Sequence, residues 1–159
     1  NSPHTNGYSL IRRVFDIDNH PEVLEETEWS PDLGRSLGDA LLEPHRSYLD
    51  PVTPVLGMIR GMAHITGGGV FENIPRALPD GMGADIDLTS WEVPPLFRLI
   101  QKQGAVDRDE MFRVFNMGLG MVLLASADRA DEIMELVTDS WIVGRVVERD
   151  PGAERVVLI

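Results

Sequence analysis

The chain has 159 residues and no cysteine, which is enough for one domain with its own core and excludes a disulfide framework, a thiol nucleophile and a thiolate metal site. The formal net charge of -12 repels phosphate backbones and anionic lipid, so we expect neither nucleic acid nor a membrane as partner. Without an apolar leader or spanning segment, the composition predicts a soluble, cytoplasmic protein. Because the first residue is Asn1 and not Met, we also expect a piece of a longer polypeptide.

Hydrophobic periodicity and the positions of Pro and Gly predict a mixture of helices and strands. The predicted helices are 7–18, 33–42, one starting near Val52, 70–74, 94–104, 109–114 and 128–137, with an acidic connector at 22–31. The predicted strands are 61–66, 84–88, 117–126, 141–148 and 154–159. Asp150-Pro151-Gly152 has hairpin chemistry between the last two strands. The order predicts a single α/β (α+β) domain over 1–159, with a mixed β-sheet packed with helices.

Three consecutive glycines, Gly67, Gly68 and Gly69, separate a predicted strand from a predicted helix. Residues without a Cβ reach positive φ and let a ligand approach the backbone, while the following helix offers N–H groups and the positive end of its dipole. The loop, with Thr66 and His64 beside it, is therefore predicted to hold an anionic group. The alternative is a tight turn that binds nothing.

A second polar segment, His4-Thr5-Asn6, precedes the first predicted helix. Thr5 or Asn6 would cap that helix or turn toward a ligand. Asn116, at the mouth of a buried strand, is a further candidate for a ligand hydrogen bond. Neither His4 nor His64 has a second histidine at metal-ligand spacing, so no protein metal site is predicted.

Two other patterns are weaker indications of a functional site. Asp85 and Asp87 share one strand face and would hold Mg²⁺ or act as an acid–base pair, but a solvated outer face is the simpler interpretation. Gly118 and Gly120 lack the third glycine of a dinucleotide fingerprint, because Leu123 stands there. With Lys102 as the one lysine, a P-loop is also excluded.

Four motifs occur in order at 6–10, 64–69, 72–79 and 111–121: Asn-Gly-Tyr-Ser-Leu, the glycine loop, Glu-Asn-Ile-Pro-Arg with Leu-Pro, and Met-Phe-Arg-Val-Phe-Asn-Met-Gly-Leu-Gly-Met. Together they resemble the C-terminal domain of aminoimidazole ribonucleotide synthetase, also called phosphoribosylformylglycinamidine cyclo-ligase. The likeness runs from the first residues to the final strands, although 18–32 carries no signal. Thr5 replaces an expected Ser, and 45–48 reads His-Arg-Ser-Tyr where the family usually has Thr-Arg-Ile-Tyr.

The resemblance implies a step of purine synthesis. ATP and Mg²⁺ activate the formyl amide oxygen of formylglycinamidine ribonucleotide, and ring closure gives aminoimidazole ribonucleotide, ADP and phosphate. In that family an N-terminal domain, which this chain lacks, supplies most of the nucleotide and metal site and the main contact of a homodimer. The chain would then be the substrate-closing half and inactive by itself.

The resemblance also assigns roles to individual residues. His4 and Asn6 would face the reaction cleft as catalytic residues. The substrate phosphate would be bound by His64, Thr66, Gly67, Gly68 and Gly69, with further contacts from Asn73 and Asn116. Two alternatives stay open: a related ATP-using enzyme, such as selenophosphate synthetase or formylglycinamidine ribonucleotide amidotransferase, and a non-catalytic assembly relative.

Overall fold

The computed structural model describes residues 1–29 and 31–159, so Ser30, within the predicted connector, lies outside the described residues. The α-helices are α1 (Tyr8–Val14), α2 (Leu37–Leu41), α3 (Leu49–Val52), α4 (Gly69–Ala77), α5 (Pro95–Gly104), α6 (Arg108–Val114) and α7 (Ala130–Leu136). The strands are β1 (Ile59–His64), β2 (Met82–Ile86), β3 (Met121–Ala125), β4 (Gly144–Glu148) and β5 (Val156–Leu158). Short 3₁₀ turns cover Pro21–Leu24, Pro31–Leu33, Thr53–Val55 and Ala127–Arg129.

The chain divides into two compact units. The helical unit comprises 1–46, 66–69 and 93–120, and its described part contains α1, α2, α5 and α6. The strand unit comprises 47–65, 70–92 and 121–159 and contains all the described strands. The predicted α/β (α+β) fold with a mixed sheet is confirmed, since the strand unit has both parallel and antiparallel pairs.

In the helical unit, two glycines set the contacts of α1. Gly7 caps the helix at φ 75°, and a Cβ there would lie 2.2 Å from the ring of Phe115. The predicted cap by Thr5 or Asn6 is therefore wrong, because this N-cap makes no side-chain hydrogen bond. At Gly104 a Cβ would lie 2.6 Å from Val14, so α5 uses its glycine for close packing against α1 and places Ala105 in the left-handed conformation instead.

Side-chain hydrogen bonds cap the N-termini of α2 and α6. Ser36 accepts a hydrogen bond from the Asp39 N–H at 3.1 Å, and Asp107 accepts from the N–H groups of Asp109 and Glu110 at 2.8 and 3.4 Å. These bonds satisfy backbone donors that have no partner inside the helix. The predicted helix at 33–42 accordingly starts only at Leu37, and the one at 109–114 is confirmed as α6.

The strand unit contains two sheets. β1 and β3 form an antiparallel pair, and β2 lies between β4 and β5, antiparallel to the first and parallel to the second. The face of the two-stranded sheet packs on a small cluster of Val52, Val55, Ile133 and Val137. The predicted helix near Val52 begins earlier, at Leu49, and continues as a 3₁₀ turn to Val55.

The last two strands do not pair with each other, so the predicted hairpin is wrong. The connection between them crosses β2, because the Ala84 N–H donates to the Arg155 carbonyl at 2.7 Å and the Arg149 N–H donates to the Gly81 carbonyl at 2.8 Å. Gly83 makes the crossing feasible: a Cβ there would lie 2.5 Å from both Arg149 and the Arg155 carbonyl. Turn chemistry at 150–152 is local and carries no information about this crossing.

The predicted continuous strand at 117–126 is also shorter than expected. Met117 and Gly118 both have positive φ, 51° and 98°, and the Leu119 N–H donates to the Asn116 carbonyl at 2.9 Å. This is a tight turn, and β3 starts only at Met121. No helix in the described part of the chain is long and apolar enough to cross a membrane.

Candidate functional site

The glycine loop links β1 to α4 and is built on left-handed backbone. Gly68 and Gly69 have φ values of 89° and 56°. The Gly69 N–H donates to the Thr66 carbonyl at 3.0 Å, so this donor is already used within the turn. α4 follows directly, and the predicted order of strand, glycine loop and helix is confirmed.

Packing alone explains why residue 69 is a glycine. A Cβ at this position would lie 1.8 Å from the Phe112 carbonyl oxygen and 3.1 Å from that of Phe115. The loop therefore rests against the end of α6, and only glycine fits there. This contact explains one of the three glycines without any ligand.

The N-terminal segment lies beside the same loop. The Asn6 N–H donates to the Pro3 carbonyl at 3.2 Å, which closes a turn in which His4 has φ 57°. The Asn6 side-chain oxygen lies 3.2 Å from the position that a Cβ on Gly67 would take. Within the helical unit, Asn6 and the glycine loop are thus in contact, as a shared site requires.

Asn116 connects this segment to the turn after α6. Its side chain is buried, and its Nδ2 donates to the Ser2 carbonyl at 2.8 Å while its Oδ1 accepts from the Gly118 N–H at 2.8 Å. The same Nδ2 lies 3.4 Å from Nδ1 of His4. The hydrogen bonds of Asn116 therefore connect the N-terminal segment to the turn after α6.

His45 was not among the predicted site residues, yet its ring stacks on that of His4. The ring centroids are 3.8 Å apart and the planes are inclined by 32°. Its Nδ1 lies 2.7 Å from the Arg46 carbonyl. The two rings border a cavity of about 240 Å³, which is lined by His4, Thr5, Tyr8, Leu41, Leu42, Glu43 and His45. No spacing rule joins positions 4 and 45, and the only sequence signal was the departure from the family pattern at 45–48.

The remaining predicted residues, His64 and Asn73, belong to the strand unit. His64 ends β1, is exposed and meets the ring of Tyr48 with centroids 6.0 Å apart. Asn73 is buried in α4, where its Oδ1 accepts a hydrogen bond from Arg76 at 3.3 Å.

Asp85, in β2, and Asp87, just after it, do not form a magnesium site. Asp85 is buried and forms ion pairs with Arg145, at 3.3 Å, and with Arg149, so the predicted solvated face is wrong for this residue. Two guanidinium groups already neutralise its charge and would repel a cation. Asp87 is partly exposed and accepts hydrogen bonds from the hydroxyl and the N–H of Thr89, which hold the pKa of its carboxyl below the usual range.

The helical unit therefore presents a glycine turn, an amide and an imidazole at one place in the chain's fold. Main-chain N–H groups, amide NH₂ and imidazole N–H are donors, and donors suit phosphate oxygens better than they suit a metal ion. Such a set of donors is suited to an anion. Among the residues described above the site contains no lysine, and its one carboxylate, Glu43, forms an ion pair with Arg35.

The comparisons with known proteins identify a family for the chain. The family described as "AIR synthase related protein, C-terminal domain" matches residues 1–157, and the chain belongs to this family.

Three relatives are named phosphoribosylformylglycinamidine cyclo-ligase. The one from Caldicellulosiruptor bescii is 50% identical over 155 residues, covering 94% of this chain and 45% of the relative. Those from Caldicellulosiruptor saccharolyticus and Alkaliphilus metalliredigens are 49% and 40% identical, covering 96% and 98% of this chain and 46% and 45% of the relatives. The chain thus spans about half the length of the curated relatives it matches.

Proposed function

We propose that the chain provides the C-terminal half of a phosphoribosylformylglycinamidine cyclo-ligase, an enzyme of purine biosynthesis. The main support is the identity of 40–50% over almost the whole chain with relatives that carry this name. In the proposed reaction, formylglycinamidine ribonucleotide and ATP yield aminoimidazole ribonucleotide, ADP and phosphate. The half that the relatives have in addition would bind ATP and Mg²⁺, make the homodimer contact and be required for activity. We further propose a cytoplasmic location.

The role proposed for this half is to bind and orient the ribonucleotide. Thr66, Gly67, Gly68 and Gly69 would receive the phosphate, His4 and Asn6 would face the reacting groups, and His64, Asn73 and Asn116 would make further contacts. The contact between Asn6 and Gly67 supports a common site for the loop and the N-terminal segment. Since positioning and charge stabilisation dominate phosphoryl transfer and cyclisation, a half without a covalent nucleophile suffices for this role.

A chimera tests the proposed function. This chain replaces the matching C-terminal part of the Caldicellulosiruptor bescii relative, and formation of aminoimidazole ribonucleotide and ADP is measured with formylglycinamidine ribonucleotide and ATP. We expect turnover by the chimera and none by this chain alone. A folded chimera that binds ATP but forms no aminoimidazole would overturn the proposal, as would full activity of the isolated chain. Supplying selenide, or formylglycinamide ribonucleotide with glutamine, distinguishes the two related enzymes.

The phosphate role of the loop has a separate test. Gly68 and Gly152 have nearly the same backbone, φ 89° and 87°, so Ala at either position introduces a similar conformational strain. We expect Gly68→Ala to abolish the binding of ribose 5-phosphate in a calorimetric titration, and Gly152→Ala to leave it intact. Unchanged affinity in the folded Gly68→Ala variant would contradict phosphate binding by the loop.

A further inference from the structure

The amide of Asn116 is fixed in orientation by two backbone groups. Its Oδ1 faces the Gly118 N–H at 2.8 Å, and its Nδ2 faces the Ser2 carbonyl at 2.8 Å. A backbone N–H can only donate and a carbonyl oxygen can only accept. Exchanging the oxygen and nitrogen of the amide would therefore place its NH₂ against the Gly118 N–H and its oxygen against the Ser2 carbonyl, and neither pair could form a hydrogen bond. Because the residue is 2% exposed, water does not offer substitute partners at low cost.

The fixed amide determines which nitrogen of His4 carries the proton. One hydrogen of Nδ2 points to Ser2, which leaves the other for Nδ1 of His4 at 3.4 Å. A donor facing Nδ1 requires a lone pair there. In the neutral ring the proton then resides on Nε2. The ring of His45 stacks on this imidazole with centroids 3.8 Å apart, and the turn closed by Asn6 and Pro3 contains His4.

We propose that Asn116 is a positioning residue that holds neutral His4 as its Nε2–H tautomer. Nε2 of His4, an atom that is buried in this structure, then carries the hydrogen that can be donated to a ligand, and Nδ1 does not serve as a proton acceptor. The assignment of the tautomer stands on the contacts within the helical unit alone. The assignment of the acceptor, an oxygen of the ribonucleotide or of the transferred phosphoryl group, rests on the proposed function.

Nitrogen-15 NMR of the histidine rings tests the tautomer directly. Long-range proton–nitrogen correlation spectra of the chain at pH 8 distinguish a protonated ring nitrogen from one with a lone pair. We expect a protonated Nε2 and an unprotonated Nδ1 for His4. The exposed ring of His20, which faces Asp16 and Glu22, provides an internal reference. A spectrum with the proton of His4 on Nδ1 would overturn the proposal.

The variant Asn116→Asp tests whether Asn116 is responsible for the Nε2–H tautomer of His4. Aspartate keeps an acceptor for the Gly118 N–H but presents an acceptor to Nδ1, so we expect the proton of His4 to move to Nδ1 or the ring to become cationic. Asn73→Asp is the matched control, because it changes another buried amide, 5% exposed, and should leave the His4 spectrum unchanged. His45→Thr, which removes the stacked ring and keeps Asn116, should retain the Nε2–H tautomer. Loss of this tautomer in His45→Thr, or its persistence in folded Asn116→Asp, would show that Asn116 is not the cause.

Ligand binding separates this proposal from the proposed function. Ribose 5-phosphate should shift the Nε2–H resonance of His4, and Asn116→Asp should weaken its binding about tenfold, the effect of losing a hydrogen bond to a charged group. If the tautomer is Nε2–H but the phosphate leaves the resonance unchanged, the donor role fails and the positioning by Asn116 stands. Where Asn116→Asp does not fold, the wild-type and His45→Thr spectra still decide the tautomer.

Discussion

Left-handed backbone is distributed unequally between the two units. Among the described residues, the non-glycine positions with positive φ in the helical unit are His4, Asp16, Ala105 and Met117, whereas the strand unit has Asp139. Such conformations cost about 1–3 kcal/mol each for residues with a Cβ, and they persist only where the surroundings hold them. Two of them, His4 and Met117, flank the Asn116 bonds. The candidate site is therefore in the unit with more backbone strain.

The strand unit is held by ladder hydrogen bonds and by arginines instead. Arg155 donates to the carbonyls of Leu78, Pro79 and Met82 at 2.7–3.1 Å, and Arg145 and Arg149 neutralise Asp85. These contacts fix the connection that crosses β2. The comparison indicates that tight turns position the candidate site in the helical unit, whereas paired strands and ion pairs stabilise the strand unit. Four measurements test this difference, from the largest expected effect to the smallest.

Gly69→Ala should have the largest effect. The new Cβ would lie 1.8 Å from the Phe112 carbonyl, so either the loop or α6 must move. We expect a loss of more than about 3 kcal/mol in the free energy of unfolding, measured with urea. Gly34→Ala is the control, because φ is 63° and nothing lies within 4 Å of its Cβ position; strain alone costs about 1–2 kcal/mol there. Equal losses would show that the close contact is unimportant.

Asp85→Ala should be the most damaging single change of a charge in the strand unit. It leaves Arg149 with an uncompensated charge in a half-buried position, while Arg145, 73% exposed, remains hydrated. We expect a loss of about 2–3 kcal/mol, somewhat below the usual range for breaking a buried ion pair. Asp87→Ala, one residue beyond the end of β2, should cost less, since that carboxyl is exposed. Urea denaturation at pH 7 compares the two, and a larger loss for Asp87→Ala would contradict the structural role of Asp85.

Asp107→Ala should have a smaller effect. It removes the side-chain cap of α6, whose last residues contact the glycine loop. Loss of such a cap costs about 1 kcal/mol. Asp107→Asn keeps an acceptor for the same N–H groups and should restore most of the stability in thermal unfolding. If both variants lose the same amount, the cap hydrogen bonds do not stabilise the helix.

The smallest expected effect is a difference in the pH response of the two units. Burial raises the pKa of Tyr8, whose hydroxyl donates to the Leu41 carbonyl, so its contribution is complete below about pH 10 and is lost as pH rises through the higher folded pKa. The lowered pKa of Asp87 acts in the opposite range: its contribution is present above about pH 4 and is lost as pH falls through the lower value. Tyr8→Phe should flatten the alkaline limb of the stability profile, and Asp87→Asn the acid limb. An unchanged limb in either variant would refute that assignment.

Local patterns predicted the elements whose ends are marked by proline, glycine or a capping residue. Pro95 and the packing positions of α5 gave its extent, and the glycine loop was placed correctly between β1 and α4. The strand at 141–148 was predicted too long, and the partners of the last two strands were wrong. Strand pairing depends on contacts between distant segments, and a turn sequence limits only its neighbours.

The candidate site was predicted in part for the same reason. Asn6 and Gly67 were named from separate motifs, and the structure shows that they touch. His45 was missed because nothing in its neighbourhood signals a stacked partner 41 positions away. Asp85 was taken for a surface residue, since the alternation of β2 does not reveal that both of its edges are paired and that two arginines cover it.

The sequence by itself determined the family, the α/β class and the residue types that an anion site needs. Motifs and hydrophobic periodicity depend only on residues that are near each other in the chain, so they can be recognised without the structure. Only the tertiary structure decided what each of those residues does. It showed that Gly69 is required by a carbonyl of α6, that Asp85 is neutralised, and that Asn116 faces His4 with a fixed amide. Those outcomes depend on which atoms from distant segments come within hydrogen-bonding distance, and that distance is set by packing and not by spacing along the chain.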